Sequence, residues 1–261
     1  MASAATGVSV GAFMAWAFVL GACLGSFYGL CAYRYAHEIP MRGRSFCPCC
    51  KKQLWPRHLV PVLSWLFLRG RCAFCCSPIG FTAFFMECVS GLVAVLLAAH
   101  YGPGLAFAAT LLFFGVLIVL SGIDAACYIL PDTIVIPLTP AALLIAVWIL
   151  RLNWFESLAG GLVGAALFFA LRRVFFTLRG VEALGLGDVK LMLPLGFMCG
   201  LYNLPLLLLA ASLSGLAAMT WRQAGNSDWA SMREAHLPFG PFLAFGCFIT
   251  MLYGEKFRVF F

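Results

Sequence analysis

Asp124 and Asp188 each stand at the edge of a long apolar run, in SGIDAACYILPD and in GLGDVK, within a 261-residue chain that has only ten acidic side chains. A carboxylate at the boundary of a membrane span is costly, by roughly 2.5 to 3.5 kcal/mol at mid-bilayer and less near the interface, so each asks for a reason. Two carboxylates held within a few ångströms do not both ionise easily, and one keeps its proton near neutral pH. Such a pair suits hydrolysis of a peptide bond: the charged member draws a proton from a bound water while the protonated member polarises the scissile carbonyl. Gly185 and Gly187 remove side chains beside Asp188, where a substrate backbone can approach. Asp132, in Leu-Pro-Asp, and Lys190, just past Asp188, are candidates to bind substrate or shape the site. The plainer alternatives are that Asp188 and Asp132 cap helices and that Asp124 marks an interface.

A second group of reactive side chains lies in a polar loop. Six of the twelve cysteines are concentrated in FCPCC and RCAFCC. Cys47-x2-Cys50 and Cys72-x2-Cys75 have the paired form of a structural zinc site, in which four thiolates close the coordination sphere and leave no catalytic position. Cys49 and Cys76 leave the register open, because Cys72 to Cys76 is also an acceptable spacing. The plainer alternatives are free thiols and disulfides, the latter disfavoured in a cytoplasmic setting. The other six cysteines lie in or beside apolar runs and read as small hydrophobes.

The elements that must position these groups are membrane helices. The chain is 63% hydrophobic and 10% charged, against roughly 25% charged in an average soluble domain. Apolar stretches at about 8–33, 81–100, 104–123, 133–150, 155–171, 186–202, 203–221 and 239–254 predict an all-α polytopic membrane protein of about eight transmembrane helices. The expected organisation is a first span (1–33), a cysteine-rich, zinc-knuckle-like cytoplasmic subdomain (34–80) and a multi-span membrane domain (81–261). The first stretch has no basic residue before it, so it reads as a retained span and not as a cleaved signal. With the N-terminus outside, 14 of the 17 basic residues fall on the inner side, in 34–71, 172–190 and 222–233. By the positive-inside rule this places Asp124 and Asp188 together at the cytoplasmic face. The +7 net charge then reflects topology and contact with anionic headgroups, and no nucleic-acid partner is expected. The four histidines form no metal-binding spacing, and neither a Gly-x-Ser-x-Gly elbow nor a His-Glu-x-x-His helix occurs, which argues against serine and zinc intramembrane hydrolases.

Over nearly its whole length the chain resembles the type IV prepilin peptidases, membrane aspartic peptidases with a Gly-x-Gly-Asp motif that also act as N-methyltransferases. The matching blocks are GACLGSFYGLCAYR (21–34), FCPCC (46–50), VPVLSWLFLRGRCAFC (60–75), the Asp124 to Asp132 segment, GLGDVK (185–190) and PFGP (238–241). The resemblance implies an inner-membrane, multi-pass enzyme with a periplasmic N-terminus and with Asp124 and Asp188 as a cytoplasm-facing catalytic pair. Its implied substrates are prepilins and pseudopilins of pilus assembly and type II secretion, cut after a leader Gly. It further implies methylation of the new N-terminus with S-adenosylmethionine, a cofactor for which the residues show no Gly-rich fingerprint. Two positions depart from the family: Tyr28-Gly29 follows Ser26-Phe27 where the family reads Leu-Asn, and FTAFFMECVSG keeps Glu87 and Gly91 but lacks the usual Arg-Tyr-Pro. The residues leave three other functions open: a peptidase without methylation, a proton-coupled transporter using the paired carboxylates, and an inert assembly scaffold.

Overall fold

Each predicted apolar stretch forms a helix in the computed structural model, which describes residues 9–180, 184–223 and 237–258. Nine α-helices occur among the described residues: α1 Val10–Ala36, α2 Leu63–Phe67, α3 Phe81–Tyr101, α4 Leu105–Cys127, α5 Asp132–Leu144, α6 Trp154–Arg179, α7 Leu186–Cys199, α8 Leu204–Gln223 and α9 Gly240–Arg258. No strand is present among them; two isolated bridges pair Phe46 with Gln53 and Arg71 with Pro78. Of the basic residues used to predict orientation, Arg233 lies outside the described residues, and so do the side chains of Arg179, Arg222 and Arg258.

Among the described residues six helices are long and apolar enough to cross a bilayer by length and composition, and the expected count of about eight is approximate. The stretch at 186–202 is divided by Gly200, at φ +75°, into the 14-residue α7 and a short turn at Leu201–Asn203 before α8. At 1.5 Å per residue α7 covers about 21 Å, short of the roughly 30 Å hydrocarbon core. The last helix, α9, is 19 residues long and is not among the six.

The chain divides into two compact units, Met1–Val119 and Leu120–Phe261. In the first, α1 and α3 pack through small residues. A Cβ at Gly21 would meet the Ser90 carbonyl at 2.5 Å, and one at Gly25 would meet the Met86 carbonyl at 2.7 Å. Backbones this close are how apolar helices gain dispersion energy without a hydrophobic drive in lipid. In the second unit α6 and α7 meet in the same manner. A Cβ at Gly160 would lie 2.5 Å from the Gly196 carbonyl, and the buried Ser157 hydroxyl donates to the Phe197 carbonyl at 2.6 Å. That contact fixes α7, and with it the segment that carries Asp188.

Candidate active site and metal centre

Asp124 lies in the last turn of α4, which ends when Tyr128 takes a left-handed φ of +57° and donates its N–H to the Asp124 carbonyl at 2.8 Å. The side chain is 5% exposed. Its Oδ2 accepts the backbone N–H of Gly240, the first residue of α9, at 2.9 Å. A Cβ on Gly240 would sit 2.8 Å from that oxygen, so only glycine brings the helix end this close.

Asp188 stands at a different helix start. Gly185 is the N-cap of α7 and Asp188 lies in the first turn, where the Gly185 backbone favours its charged form. The sequence alternative that Asp188 is itself the cap is corrected: it is the third helical residue after the cap. Asp124, bonded to the first N–H of α9, and Asp188, in the first turn of α7, thus both meet a helix N-terminus, where backbone dipoles favour negative charge. Arg172 of α6 anchors the approach to α7 by donating to the Leu184 carbonyl at 2.7 Å.

Leu130 ties the two carboxylates into one site. A Cβ on Gly187 would meet the Leu130 Cβ at 2.9 Å, and one on Gly240 would meet Leu130 Cδ2 at 3.5 Å. One buried leucine thus packs against the residue before Asp188 and the residue bonded to Asp124, and the charge of Asp124 is felt at Asp188. Asp132 does not join the pair. It opens α5 after the N-cap Pro131, without a side-chain cap bond, and both its oxygens accept from Lys190 Nζ, at 2.7 and 2.8 Å. The pair is about half-exposed and links α5 to the second turn of α7.

In the first unit, Cys47, Cys50, Cys72 and Cys75 bring their sulfurs within 4.8 Å of one another. Two matching turns build the cluster. Cys47 N–H donates to the Lys52 carbonyl and Cys72 N–H to the Ser77 carbonyl, and Lys51 and Cys76 occupy equivalent left-handed positions at φ +58° and +56°. Cys76 is therefore a turn residue; it and Cys49 are exposed and lie outside the cluster, which answers the open register. A tetrahedral ion with bonds of about 2.3 Å to sulfur would separate its ligands by about 3.8 Å, and Cys47 and Cys75 are 3.8 Å apart. The protons also fit a cation. The Ser77 hydroxyl and backbone N–H draw Cys75 down to about 6, and the Cys50 backbone N–H draws Cys47 down. Against the lowering influence of the Lys52 backbone, burial and the neighbouring thiols of Cys75 and Cys47 push Cys50 up to about 11. A divalent ion relieves that crowding of negative charge.

Three features escaped the sequence reading. Gly240 is 116 residues from Asp124, so no local pattern pairs them. Glu87, 8% exposed, accepts the Val62 N–H at 2.7 Å. Cys199 and Cys247, read as separate hydrophobes, approach to 3.5 Å between sulfurs.

Residues 19–101 match the bacterial peptidase A24 N-terminal domain and residues 111–220 match the type IV leader peptidase family. Among curated relatives, a prepilin leader peptidase/N-methyltransferase of Burkholderia pseudomallei strain 1026b is 33% identical, over 94% of this chain and 86% of its own length. One from Dickeya chrysanthemi is 37% identical over 77% of this chain and 70% of its own, and one from Stutzerimonas stutzeri is 30% identical over 94% and 92%. No solved structure matches. The two matched segments and the near full-length relatives place this chain in the type IV leader peptidase family.

Proposed function

We propose that this multi-pass inner-membrane enzyme cleaves the leader of type IV prepilins or pseudopilins after Gly, using Asp124 and Asp188, and N-methylates the new terminus. The observation that supports the peptidase reading is that two acidic side chains stand at helix starts, Asp124 bonded to Gly240 N–H and Asp188 next to Gly187, with Leu130 packed against both glycines. Gly240 engages Oδ2 of Asp124 and leaves the other oxygen for water. The ionised carboxylate of the pair removes a proton from that water as it adds to the scissile carbonyl, and the protonated carboxylate donates to the carbonyl oxygen. Collapse of the tetrahedral intermediate breaks the C–N bond, and the proton taken from water goes to the departing amine. The resting proton belongs to the pair as a unit. Gly185 and Gly187 leave room for the substrate strand, while Asp132 and Lys190 hold α5 against α7 at the rim.

The excess of basic residues in 34–71 and 172–190 supports a periplasmic N-terminus and a cytoplasm-facing carboxylate pair. The four cysteines would hold a zinc ion that stiffens the loop and takes no part in hydrolysis. S-adenosylmethionine would supply the methyl group; support for it is the N-methyltransferase name that the relatives carry.

The test is purified protein in detergent with a prepilin and S-adenosylmethionine, read by mass spectrometry of the new N-terminus. Cleavage after the leader Gly with addition of one methyl group supports both activities; cleavage without methylation leaves the peptidase alone. Absence of cleavage across several prepilins by folded protein overturns the reading. Carboxylate-dependent proton flux in vesicles would instead support a transporter.

A further inference from the structure

The short helix α2 departs from the packing of the rest of its unit. Its Trp65 stacks on Phe84 with ring centroids 4.6 Å apart and meets Phe81 edge-on at 6.0 Å, so one side lies against the start of α3. The opposite side carries Leu63, Leu66 and Phe67, spaced i, i+3, i+4 on a single helical face, and these are 52%, 52% and 84% exposed. The chain is forced into this orientation. Val62 takes φ +63° and ψ −54° with a 2.6 Å bond from Leu63 N–H to the Pro61 carbonyl. This is a γ-turn of the rare, strained hand, and strained for a β-branched residue. The buried Glu87 carboxylate holds the turn by its Val62 N–H.

The depth of α2 follows from its contacts. Phe81, Phe84 and Glu87 lie in the first two turns of a candidate membrane span, within about 9 Å of its end. Residues 37–80 hold seven Lys and Arg and one acidic residue, Glu38; four thiolates around a divalent ion would still leave a positive balance. Arg69 and Arg71 directly follow the apolar face, and the nearby Trp55 carries Arg57 over its ring at 5.6 Å, a pairing of aromatic and cation that suits the headgroup layer.

We infer that α2 is an interfacial anchor: Leu63, Leu66 and Phe67 insert among the acyl chains of an anionic leaflet while Arg69 and Arg71 bind its headgroups, seating the cysteine knuckle on the membrane surface. An amphipathic segment of this kind gains from both apolar insertion and attraction to anionic lipid. Glu87 acts as a positioning residue, keeping the strained turn that points the apolar face outward. The inference does not depend on the peptidase assignment.

The full-length protein carrying trifluoromethyl-phenylalanine at position 67 is placed in nanodiscs of phosphatidylcholine alone or mixed with phosphatidylglycerol. Its fluorine signal is read with spin-labelled lipid and with an aqueous gadolinium chelate. The expected result is broadening by the lipid label, protection from gadolinium, and a severalfold larger lipid effect with phosphatidylglycerol. R69Q/R71Q removes that difference, and Glu87→Ala weakens the lipid contact while Glu87→Gln retains part of it. Broadening by gadolinium alone overturns the inference by placing Phe67 in water. Protection from both probes overturns it by showing a protein cover, from a second copy or another chain.

Discussion

Replacing Gly240 by Ala tests how the site is held without altering either carboxylate. The added Cβ would lie 2.8 Å from Asp124 Oδ2 and 3.4 Å from Cγ, closer than real side chains tolerate, so the carboxylate must turn away and the 2.9 Å bond from Gly240 N–H is lost. The glycine does not occupy a left-handed φ, so alanine adds no backbone strain of its own. A hydrogen bond to a charged group contributes about 1.5 to 3 kcal/mol. At 1.36 kcal/mol per tenfold in rate, the expected loss in kcat is roughly 10- to 150-fold. The upper half of that range is favoured because Asp124 is almost wholly buried and water does not readily replace the donor. KM should change little, since Gly240 acts on the carboxylate and not on the bound leader. Steady-state cleavage of a prepilin by purified G240A, with melting in detergent as a check on folding, decides the matter. A variant within about twofold of wild type in kcat, or one impaired only in KM, refutes the claim that this N–H organises Asp124.

Gly187→Ala should lower cleavage by driving the α7 start away from Leu130, and Leu130→Gly in the same chain should restore part of it where Leu130→Ala does not, because the clash at 2.9 Å is with the Leu130 Cβ, which alanine retains; a double-mutant cycle with no coupling to Leu130→Gly contradicts this. Lys190→Ala should shift folding stability by less than about 1 kcal/mol, since a half-exposed ion pair contributes little, yet slow cleavage; the charge-exchanged Asp132→Lys with Lys190→Asp should recover more activity than either single variant. Metal analysis should find about one zinc per chain, and Cys47→Ser with Cys72→Ser should abolish it and lower the melting temperature; a fully active metal-free preparation contradicts a required structural ion. Val62→Gly should stabilise the first unit by releasing the strained φ of +63°, and a lower melting temperature would show that the turn is not strained.

The parts of the site legible in the sequence are those whose environment is local. Asp124 and Asp188 stood out because a carboxylate beside an apolar run is rare, and the paired Cys-x2-Cys turns carry their ligand spacing within four residues. What joins these pieces is not local. The Gly240 N–H reaches Asp124 from a helix 116 positions later, and Leu130 looks like any other apolar residue until it is found between Gly187 and Gly240. Length separated the remaining difference. An apolar run from 186 to 202 satisfies a count of hydrophobic residues, but Gly200 at φ +75° ends the helix after Cys199, and hydropathy is blind to that break. Glu87 was noticed as a residue shared with the family, yet its role as acceptor for Val62 depends on a strained turn that no propensity predicts.

The central claim is that Asp124 and Asp188 act as one catalytic pair, and the most direct measurement is the single-turnover cleavage rate of a prepilin by Asp124→Asn, Asp188→Asn and the double variant in folded, membrane-inserted protein. The account predicts that either single substitution reduces the rate by about 10²-fold or more and that the double variant is scarcely worse, because the two act as a unit. A single variant that cleaves at near the wild-type rate, or losses that multiply as independent contributions, would contradict it.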